Sequence, residues 1–198
     1  MAVTEGREGP GIVALGTSVF LRRPEKGDET EFLAMIAAGT DFYRPWINPP
    51  SSPDEFAAYL VRASRRTGDA FLVCLVASGA IVGAFNLAEL SARGRTAFIS
   101  YYVHPSYARQ GLMREGLQLL LGHAFGPLGL VALGASIQPG NAASAGLVAQ
   151  AGFRPEKAPP RYLRLFGVWR GHPTWSLTAA RWRALAADTE AEQAGAPD

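Results

Sequence analysis

Two repeating patterns of apolar residues divide this chain into predicted strands and helices. Alternating, β-branched or aromatic runs are typical of strands, and apolar residues three and four apart are typical of helices. The strand pattern covers residues 13–23, 71–78, 80–90, 95–103, 130–137 and 161–179, the last being a hairpin that turns at Phe166 to Val168. The helix pattern covers residues 24–39, 54–68, 111–124 and 141–153. The predicted order is strand, two helices, three strands, helix, strand, helix and two strands.

Turn-forming residues mark the joins between these elements. Ser78 and Gly79 separate two apolar runs and therefore predict a hairpin. Residues 41–53 are dense in Pro, Asn and Ser and carry three aromatic side chains, which indicates a structured loop.

The switch from strand to helix near the middle of the chain lies in HPSYARQGLMREGLQ, residues 104–118. A strand, a tight turn at Gly111 and a helix opening there would gather unpaired backbone N–H groups and the positive end of a helix dipole at one point. That arrangement favours a phosphate-bearing ligand. Neither G-x-x-x-x-G-K-[ST] nor G-x-G-x-x-G occurs at this turn, so the lone glycine is also compatible with a simple change of chain direction.

Composition limits the class of protein. The chain has 198 residues, of which 48% are hydrophobic and 18% charged, enough for one buried core. We expect a flexible N-terminus over residues 1–12, a single domain over 13–182 and a flexible tail over 183–198. The net charge of +2 and scattered arginines argue against direct nucleic-acid binding. With neither a signal peptide nor an 18-residue apolar run, the sequence predicts a cytoplasmic protein without a membrane partner.

The cysteine and histidine content argues against a metal site. Cys74 is the single cysteine, and His104, His123 and His172 do not lie at zinc-ligand spacing, so we expect no metal. Cys74 fits a buried strand position and is expected to be an inert core thiol. His104 and His172 are interpreted as turn residues.

Longer patterns around Gly111 resemble a known family. The passage YYVHPSYARQGLMREGLQLLL, a strand, and then QPGNAASAGLVAQAGFRPE resemble the acetyl-CoA-binding core of the GNAT superfamily of N-acetyltransferases, with its Q/R-x-x-G-x-G/A turn and its N-x-x-S followed by G-F. Arg44-Pro45-Trp46, GAFNL at 83–87 and YLRLFGVWRGHPTWSL are similar to the RimJ/RimL branch, which modifies protein N-termini, including those of ribosomal proteins. The resemblance covers about residues 15–180.

This resemblance implies both a fold and a reaction. The fold would be α/β, with a mixed, mostly antiparallel sheet of about seven strands flanked by helices and splayed at the acetyl-CoA site. The reaction would be direct attack of an acceptor amine on the thioester, without a covalent enzyme intermediate.

Carried over residue by residue, the resemblance assigns contacts to acetyl-CoA. Backbone amides of the turn would cradle the pyrophosphate, at Arg109, Gln110, Gly111, Leu112 and Met113. The strand at Tyr102 and Val103 would pair with the pantetheine arm, and one of its amides would hold the acetyl oxygen. Tyr102 is the catalytic candidate on this strand. Asn141 would reach the pantetheine, and Ser144 would protonate the departing thiolate. The alternative is that Asn141 is a helix N-cap for the Ser144 amide.

The acceptor side of the site is less well defined by the sequence. Phe42, Tyr43 and Trp46 would form one wall of the acceptor cleft, or alternatively a hydrophobic plug over the core. Phe98 is the fourth predicted acceptor contact, and it replaces a glutamate found in related sequences (A-E-I-G-Y-W).

Two further departures concern Ala108 and Leu163. Ala108 stands where the family's turn begins with Gln or Arg, and Leu163 stands where some relatives have an acid. With Phe98 in place of the glutamate, the general base is not identified. Glu89 and Asp41 are the residual candidates, and both are expected to be solvated.

The missing carboxylate bears on the acceptor. A lysine amine has a pKa of about 10.4 and an α-amine about 7.8, so deprotonating lysine at pH 7 costs about 3.5 kcal/mol more. The sequence therefore favours a peptide or protein N-terminus as acceptor. The alternatives are a small-molecule amine such as an aminoglycoside, polyamine or amino acid derivative, and a catalytically silent CoA-binding sensor. The oligomeric state is left open, a homodimer included.

Overall fold

The computed structural model describes residues 11–44, 46–65 and 67–194, which form one mixed sheet between two layers of helices. The strands are β1 Ile12–Leu15, β2 Val19–Arg22, β3 Gly68–Leu75, β4 Ile81–Ser91, β5 Thr96–Val103, β6 Ala132–Ser136, β7 Arg154–Pro155, β8 Arg161–Leu165, β9 Val168–His172 and β10 Thr174–Thr178. The helices are α1 Glu29–Ala38, α2 Thr40–Tyr43, α3 Pro53–Ala63, α4 Leu112–Phe125, α5 Ala142–Gln150 and α6 Ala179–Ala194.

Eight of the described strands form the main sheet, in the order β1-β2-β3-β4-β5-β6-β10-β7, and β8 pairs with β9 in a separate ribbon. Neighbours in the main sheet run antiparallel except β5 and β6, which are parallel. A parallel pair needs a crossover connection, and α4 supplies it. The expected fold class is confirmed, with one more strand in the sheet than the seven anticipated.

Each face of the sheet packs against its own set of helices. Along β3, Ala70, Leu72 and Cys74 pack in the cluster with α1 and α3, while Phe71 and Val73 pack in the cluster with α4. Both faces of the strand are therefore covered, which explains why its sequence is a continuous apolar run with no polar alternation. The burial of Cys74 raises the pKa of its thiol to about 11, as suits a core position.

Two predicted segments differ from the structure in detail, and one strand is additional. Residues 13–23 form two strands, because Gly16 N–H bonds to Val19 O in a tight turn between β1 and β2. The final segment forms β8, β9 and also β10, which joins the main sheet. β7 is a two-residue strand that the sequence pattern does not indicate.

A helix crosses the predicted C-terminal limit of the domain. The backbone is helical from Ala179 to Ala194, where a flexible tail from residue 183 was expected. Trp182 packs on Phe125, and Arg181 Nε donates to Gly152 O at 2.9 Å, so the first turns of α6 are anchored to the domain. Residues 1–10 of the expected flexible N-terminus lie outside the described residues, and the domain limits stay predictions.

Within the described part of the chain, no helix is long and apolar enough to cross a membrane. The same residues contain no group of three or more His, Cys, Asp or Glu side chains arranged to hold a metal ion.

Candidate active site

The main sheet is open between β5 and β6. The two strands pair in parallel from Thr96 opposite Ala132 to Ile99 opposite Ala135, and the pairing ends there. β5 continues to Val103 with a partner on one side only, the antiparallel strand β4. A cavity of about 870 Å³, here called the splay cavity, lies at this opening and is lined by residues of β5, β6, α4 and α5.

The direction of the backbone groups in β5 follows from two hydrogen bonds. His104 N–H donates to Val82 O beside β4, and Arg95 O accepts from Val131 N beside β6. Since successive residues of a strand point their backbone groups to alternate sides, Tyr102 N–H is directed at β4 and Val103 N–H at the splay. Of the two residues expected to offer an amide to the acetyl oxygen, Tyr102 points its amide away from the splay. Val103 is therefore the residue whose amide can reach that oxygen.

The turn before α4 has the conformation that the sequence predicted to need glycine. Gly111 has φ 81° and ψ −14°, and Arg109 has φ 62°. The first helical bond there is Glu115 N–H to Gly111 O, so the amides of residues 112–114 precede the first intrahelical bond. Gln110 Nε2 donates to Ser106 O at 2.7 Å and holds the turn closed.

Three of the five residues predicted to contact the pyrophosphate line the splay cavity. Arg109, Gly111 and Met113 line it, and a Cβ placed on Gly111 would have no heavy atom within 4 Å. Open space, free amides and the positive end of a 14-residue helix meet here, which fits a phosphate group. Leu112 lies in the same first turn, and the Gln110 side chain serves the turn itself.

The N-terminus of α5 forms the opposite wall. Asn141 Oδ1 accepts from Ser144 N–H at 3.1 Å, so Asn141 is the N-cap of α5 as the alternative interpretation held. Tyr101 Oη donates to Ser144 O at 3.0 Å. With its N–H and C=O both held, Ser144 is fixed beside the splay cavity, which it lines together with Asn141.

Two residues of this region were missed by the sequence reasoning. Burial raises the pKa of Tyr101 to about 12, so its hydroxyl stays protonated and bonded to Ser144. Ser136 lines the cavity at the end of β6, and its Oγ is buried without a hydrogen-bond partner among the described residues. A buried hydroxyl without a partner is costly, so Ser136 favours a polar ligand in the splay. A lone serine at a strand end carries no sequence signal of this kind.

The segment that carries Phe42, Tyr43 and Trp46, here called the aromatic loop, closes the open end of the sheet. Phe42, Tyr43 and Trp46 all line the splay cavity. Tyr43 is buried, and its hydroxyl donates to Val103 O at 3.0 Å, so it fixes the end of β5 as well as forming a wall. Trp46 O accepts from Gln138 Nε2 at 3.3 Å, which joins the loop to the segment after β6.

A second cavity of about 410 Å³, here called the Tyr59 cavity, adjoins the first. Ile47, Ser100 and Tyr102 line both, so the two spaces meet at the unpaired end of β5. The Tyr102 side chain packs with α1 and α3, on the face away from α4. Burial raises the pKa of Tyr102 to about 12, although nearby Asn86 and Tyr59 oppose that effect.

Phe98 is not brought to either cavity. Its ring packs against Gly134 on β6 and lies under the Arg161 guanidinium, 3.9 Å from ring centroid to Cζ. Arg161 Nη2 in turn lies 2.6 Å from Glu89 Oε1. Glu89 and Asp41, the candidate bases, also lie outside the lining of both cavities. Among the described lining residues, Asp69 is the sole carboxylate, and it is paired with Arg23.

Comparison with known proteins identifies related sequences. A family model described as the acetyltransferase (GNAT) domain matches residues 18–154. The probable N-acetyltransferase YjcK of Bacillus subtilis (strain 168) is 24% identical over 172 residues, covering 82% of this chain and 94% of that protein.

Solved structures share the fold. Mycobacterium smegmatis RimJ in complex with CoA-disulfide superposes with a TM-score of 0.70 at 23% identity, over 85% of this chain and 89% of that one. RimL, described as a ribosomal L7/L12 alpha-N-protein acetyltransferase in complex with coenzyme A, gives a TM-score of 0.75 at 16% identity, over 84% and 97% of the two chains.

Proposed function

Since this chain belongs to the GNAT acetyltransferase family and is an N-acetyltransferase, we propose that it moves the acetyl group of acetyl-CoA to the α-amine of a protein or peptide N-terminus. The observation that carries the proposal is the unpaired end of β5 beside the left-handed turn at Gly111. An extended ligand can add to such a strand edge, and a phosphate can bind at the helix N-terminus that adjoins it.

The residues of the splay divide between the two ends of acetyl-CoA. Amides of the Gly111 turn and the first turn of α4 would hold its pyrophosphate, and Val103 would pair with the pantetheine arm. Acetyl-CoA supplies an acetyl group activated as a thioester. Val103 N–H is directed at the splay and would donate to the acetyl oxygen as negative charge develops there.

Proton transfer is assigned to Ser144 and to solvent. Ser144 Oγ–H would give its proton to the departing sulfur while the C–N bond forms and the C–S bond breaks, and solvent would return a proton to Ser144 Oγ. The proton lost by the amine would leave through water, because the described lining residues offer Asp69 alone as a carboxylate and Arg23 already neutralises it. This favours an acceptor that is readily deprotonated near pH 7, as an α-amine is.

RimL is described as an alpha-N-protein acetyltransferase, and that acceptor agrees with the proposal. Another structure with this fold, at a TM-score of 0.71 and 16% identity, is a spermidine/spermine N-acetyltransferase from Vibrio cholerae. A polyamine would need acidic groups around it, and the described lining residues do not provide them. We therefore do not propose a polyamine acceptor.

Acetyl-CoA turnover on matched acceptors tests the proposal. One peptide has a free α-amine and no lysine, a second has a blocked N-terminus and one lysine, and spermidine is the third acceptor. We expect the first to be acetylated with the highest kcat/KM. Faster acetylation of lysine or spermidine would overturn the proposed acceptor, and binding of CoA without turnover on any amine would indicate a sensor.

A further inference from the structure

The Tyr59 cavity contains a cluster of buried polar atoms that lie near one another but make no hydrogen bond of good geometry among the described residues. Tyr59 and Tyr102 are 6% and 5% exposed, and among the described residues neither hydroxyl has a hydrogen-bond partner of acceptable geometry. Asn86 Oδ1 is in the same state, although its Nδ2 donates to Ser100 Oγ at 3.4 Å. Buried polar groups are normally paired, so three together at one cavity point to a polar ligand.

The charge around this cavity is positive. Arg62 and Arg65 line it with exposed side chains, and Arg62 is near enough for its charge to act on both tyrosine hydroxyls. Asp69 is the one described carboxylate in the lining, and two hydrogen bonds from Arg23, of 3.1 and 2.6 Å, neutralise it. A ligand held here therefore meets hydroxyl donors and the positive charges of Arg62 and Arg65, neither of which forms an ion pair within 4 Å among the described residues, and these groups favour an anion.

The position of the cavity relates it to the acceptor. It meets the splay cavity at Ile47, Ser100 and Tyr102, one residue before Val103. A molecule in the Tyr59 cavity can therefore present an amine at the unpaired end of β5, on the other side from the Gly111 turn. With acetyl-CoA on the side of the Gly111 turn, as proposed above, this cavity lies on the side that remains for the acceptor.

We propose, as an inference that rests on the proposed function, that the preferred acceptor carries a carboxylate close to the acetylated amine. Tyr59, Tyr102 and Arg62 bind this carboxylate in the Tyr59 cavity. Two sources share this chemistry. The carboxylate can belong to an Asp or Glu side chain just after a peptide N-terminus, or it can be the α-carboxylate of a small amino acid derivative.

The first experiment compares the charge of acceptors at constant length. Three peptides amidated at the C-terminus begin with the same residue, followed by two Asp, two Gln or two Lys. We expect kcat/KM to be about ten-fold higher for the acidic than for the basic peptide, with the neutral one between them. Equal rates, or a preference for the basic peptide, would overturn the inference while leaving the proposed N-terminal acetylation intact.

The second experiment locates the preference with Arg62→Glu. This variant should lose the preference for the acidic peptide or reverse it, while its affinity for CoA, measured by calorimetry, stays unchanged. Arg93→Glu makes the same change in net charge at an exposed position outside both cavities and should keep the wild-type order. If both variants change the preference equally, the effect is one of overall charge and the assignment to this cavity is wrong.

The third experiment tests the hydroxyl and the source of the carboxylate. Tyr59→Phe should lower kcat/KM for the acidic peptide about five-fold with little change in Tm, because the lost hydroxyl makes no hydrogen bond of good geometry among the described residues. An unchanged kcat/KM would remove Tyr59 from the site. Turnover of free alanine that exceeds that of the amidated acidic peptide would assign the carboxylate to a small molecule, and the reverse order assigns it to a peptide side chain.

Discussion

Gly111 combines a restricted backbone with open surroundings. Its φ of 81° lies in the left-handed region, yet a Cβ there would contact nothing within 4 Å. A side chain at this position would therefore strain the backbone by about 1 kcal/mol rather than clash. What it would occupy is the space where we place the pyrophosphate.

Gly111→Glu should weaken CoA binding at least ten-fold, since it adds a negative charge and bulk at the proposed phosphate site. Gly122→Glu is the matched control, because Gly122 lies on the same helix, has equal room for a Cβ and is absent from the cavity lining. Calorimetry with CoA measures both. Wild-type affinity in Gly111→Glu would reduce this glycine to a simple turn residue.

His123 provides a second test at the scale of one residue. Its Nε2 is buried without a partner among the described residues, and its ring meets Phe71 edge-on at 5.4 Å. Burial lowers the pKa of His123 below its usual value near 6.5, because the charged ring is poorly solvated there.

A lowered pKa means that the unfolded chain takes up a proton more readily than the folded one. The free energy of unfolding should therefore fall as pH drops from about 7 through the folded pKa of His123. His123→Gln should show a smaller fall between pH 7.5 and 5.5, measured by urea denaturation at each pH. If both proteins lose stability equally, His123 does not titrate in the expected way.

At the scale of elements, Arg161 connects the β8–β9 ribbon to the main sheet. Arg161 stacks on Phe98 of β5 and forms an ion pair with Glu89 of β4. Glu89 lies at a bulge in β4, where its φ is 54°. Leu163, which stands where some relatives have an acid, lies on the same ribbon. These contacts give Phe98 a structural role as the surface on which Arg161 packs. They also hold the Glu89 carboxylate in an ion pair outside the two cavities.

We therefore expect Glu89→Gln to keep kcat within about three-fold of the wild type, because a mostly exposed ion pair contributes less than about 1 kcal/mol. The pH dependence of kcat on an N-terminal peptide is the measurement. A loss of kcat of a hundred-fold or more would instead identify Glu89 as the general base, provided that the fall in kcat at low pH, which reports protonation of the base, also disappears.

At the scale of the whole molecule, the site is shared among distant parts of the chain. The aromatic loop, the end of β5, the Gly111 turn, β6 and the N-terminus of α5 all line the splay cavity. A ligand that binds across them holds these elements together, so binding and global stability are linked.

CoA at one hundred times its Kd should raise the free energy of unfolding by about 2.7 kcal/mol. For a domain of this size that corresponds to a rise in Tm of about 5–10 °C. Thermal unfolding with and without CoA checks this, and Gly111→Glu should show no comparable rise at the same concentration. A wild-type Tm unaffected by CoA would contradict both the binding site and the proposed reaction.

Local patterns indicated most of the strands and helices and the turn at Gly111 that we propose binds the pyrophosphate. The alternating runs, the helical stripe from Met113 and the lone Gly111 each depend on neighbouring residues, so the sequence indicates them directly. The same holds for Asn141, whose N-cap bond to Ser144 spans three residues. The split of the first predicted strand was missed, because Glu115 of α4 stabilises that turn by accepting from Ser18 N–H across the fold.

By itself, the amino-acid sequence determined the family resemblance, the order of the central strands and helices from β3 to α5, and the turn that binds phosphate in our proposal. The tertiary structure decided which amide faces the splay, that Phe98 lies under Arg161, and that Tyr59, Asn86 and Tyr102 share a cavity. These facts depend on strand pairing and on contacts between residues far apart in the chain. Local periodicity cannot specify such contacts, because they form only when the sheet and its two helical layers have assembled.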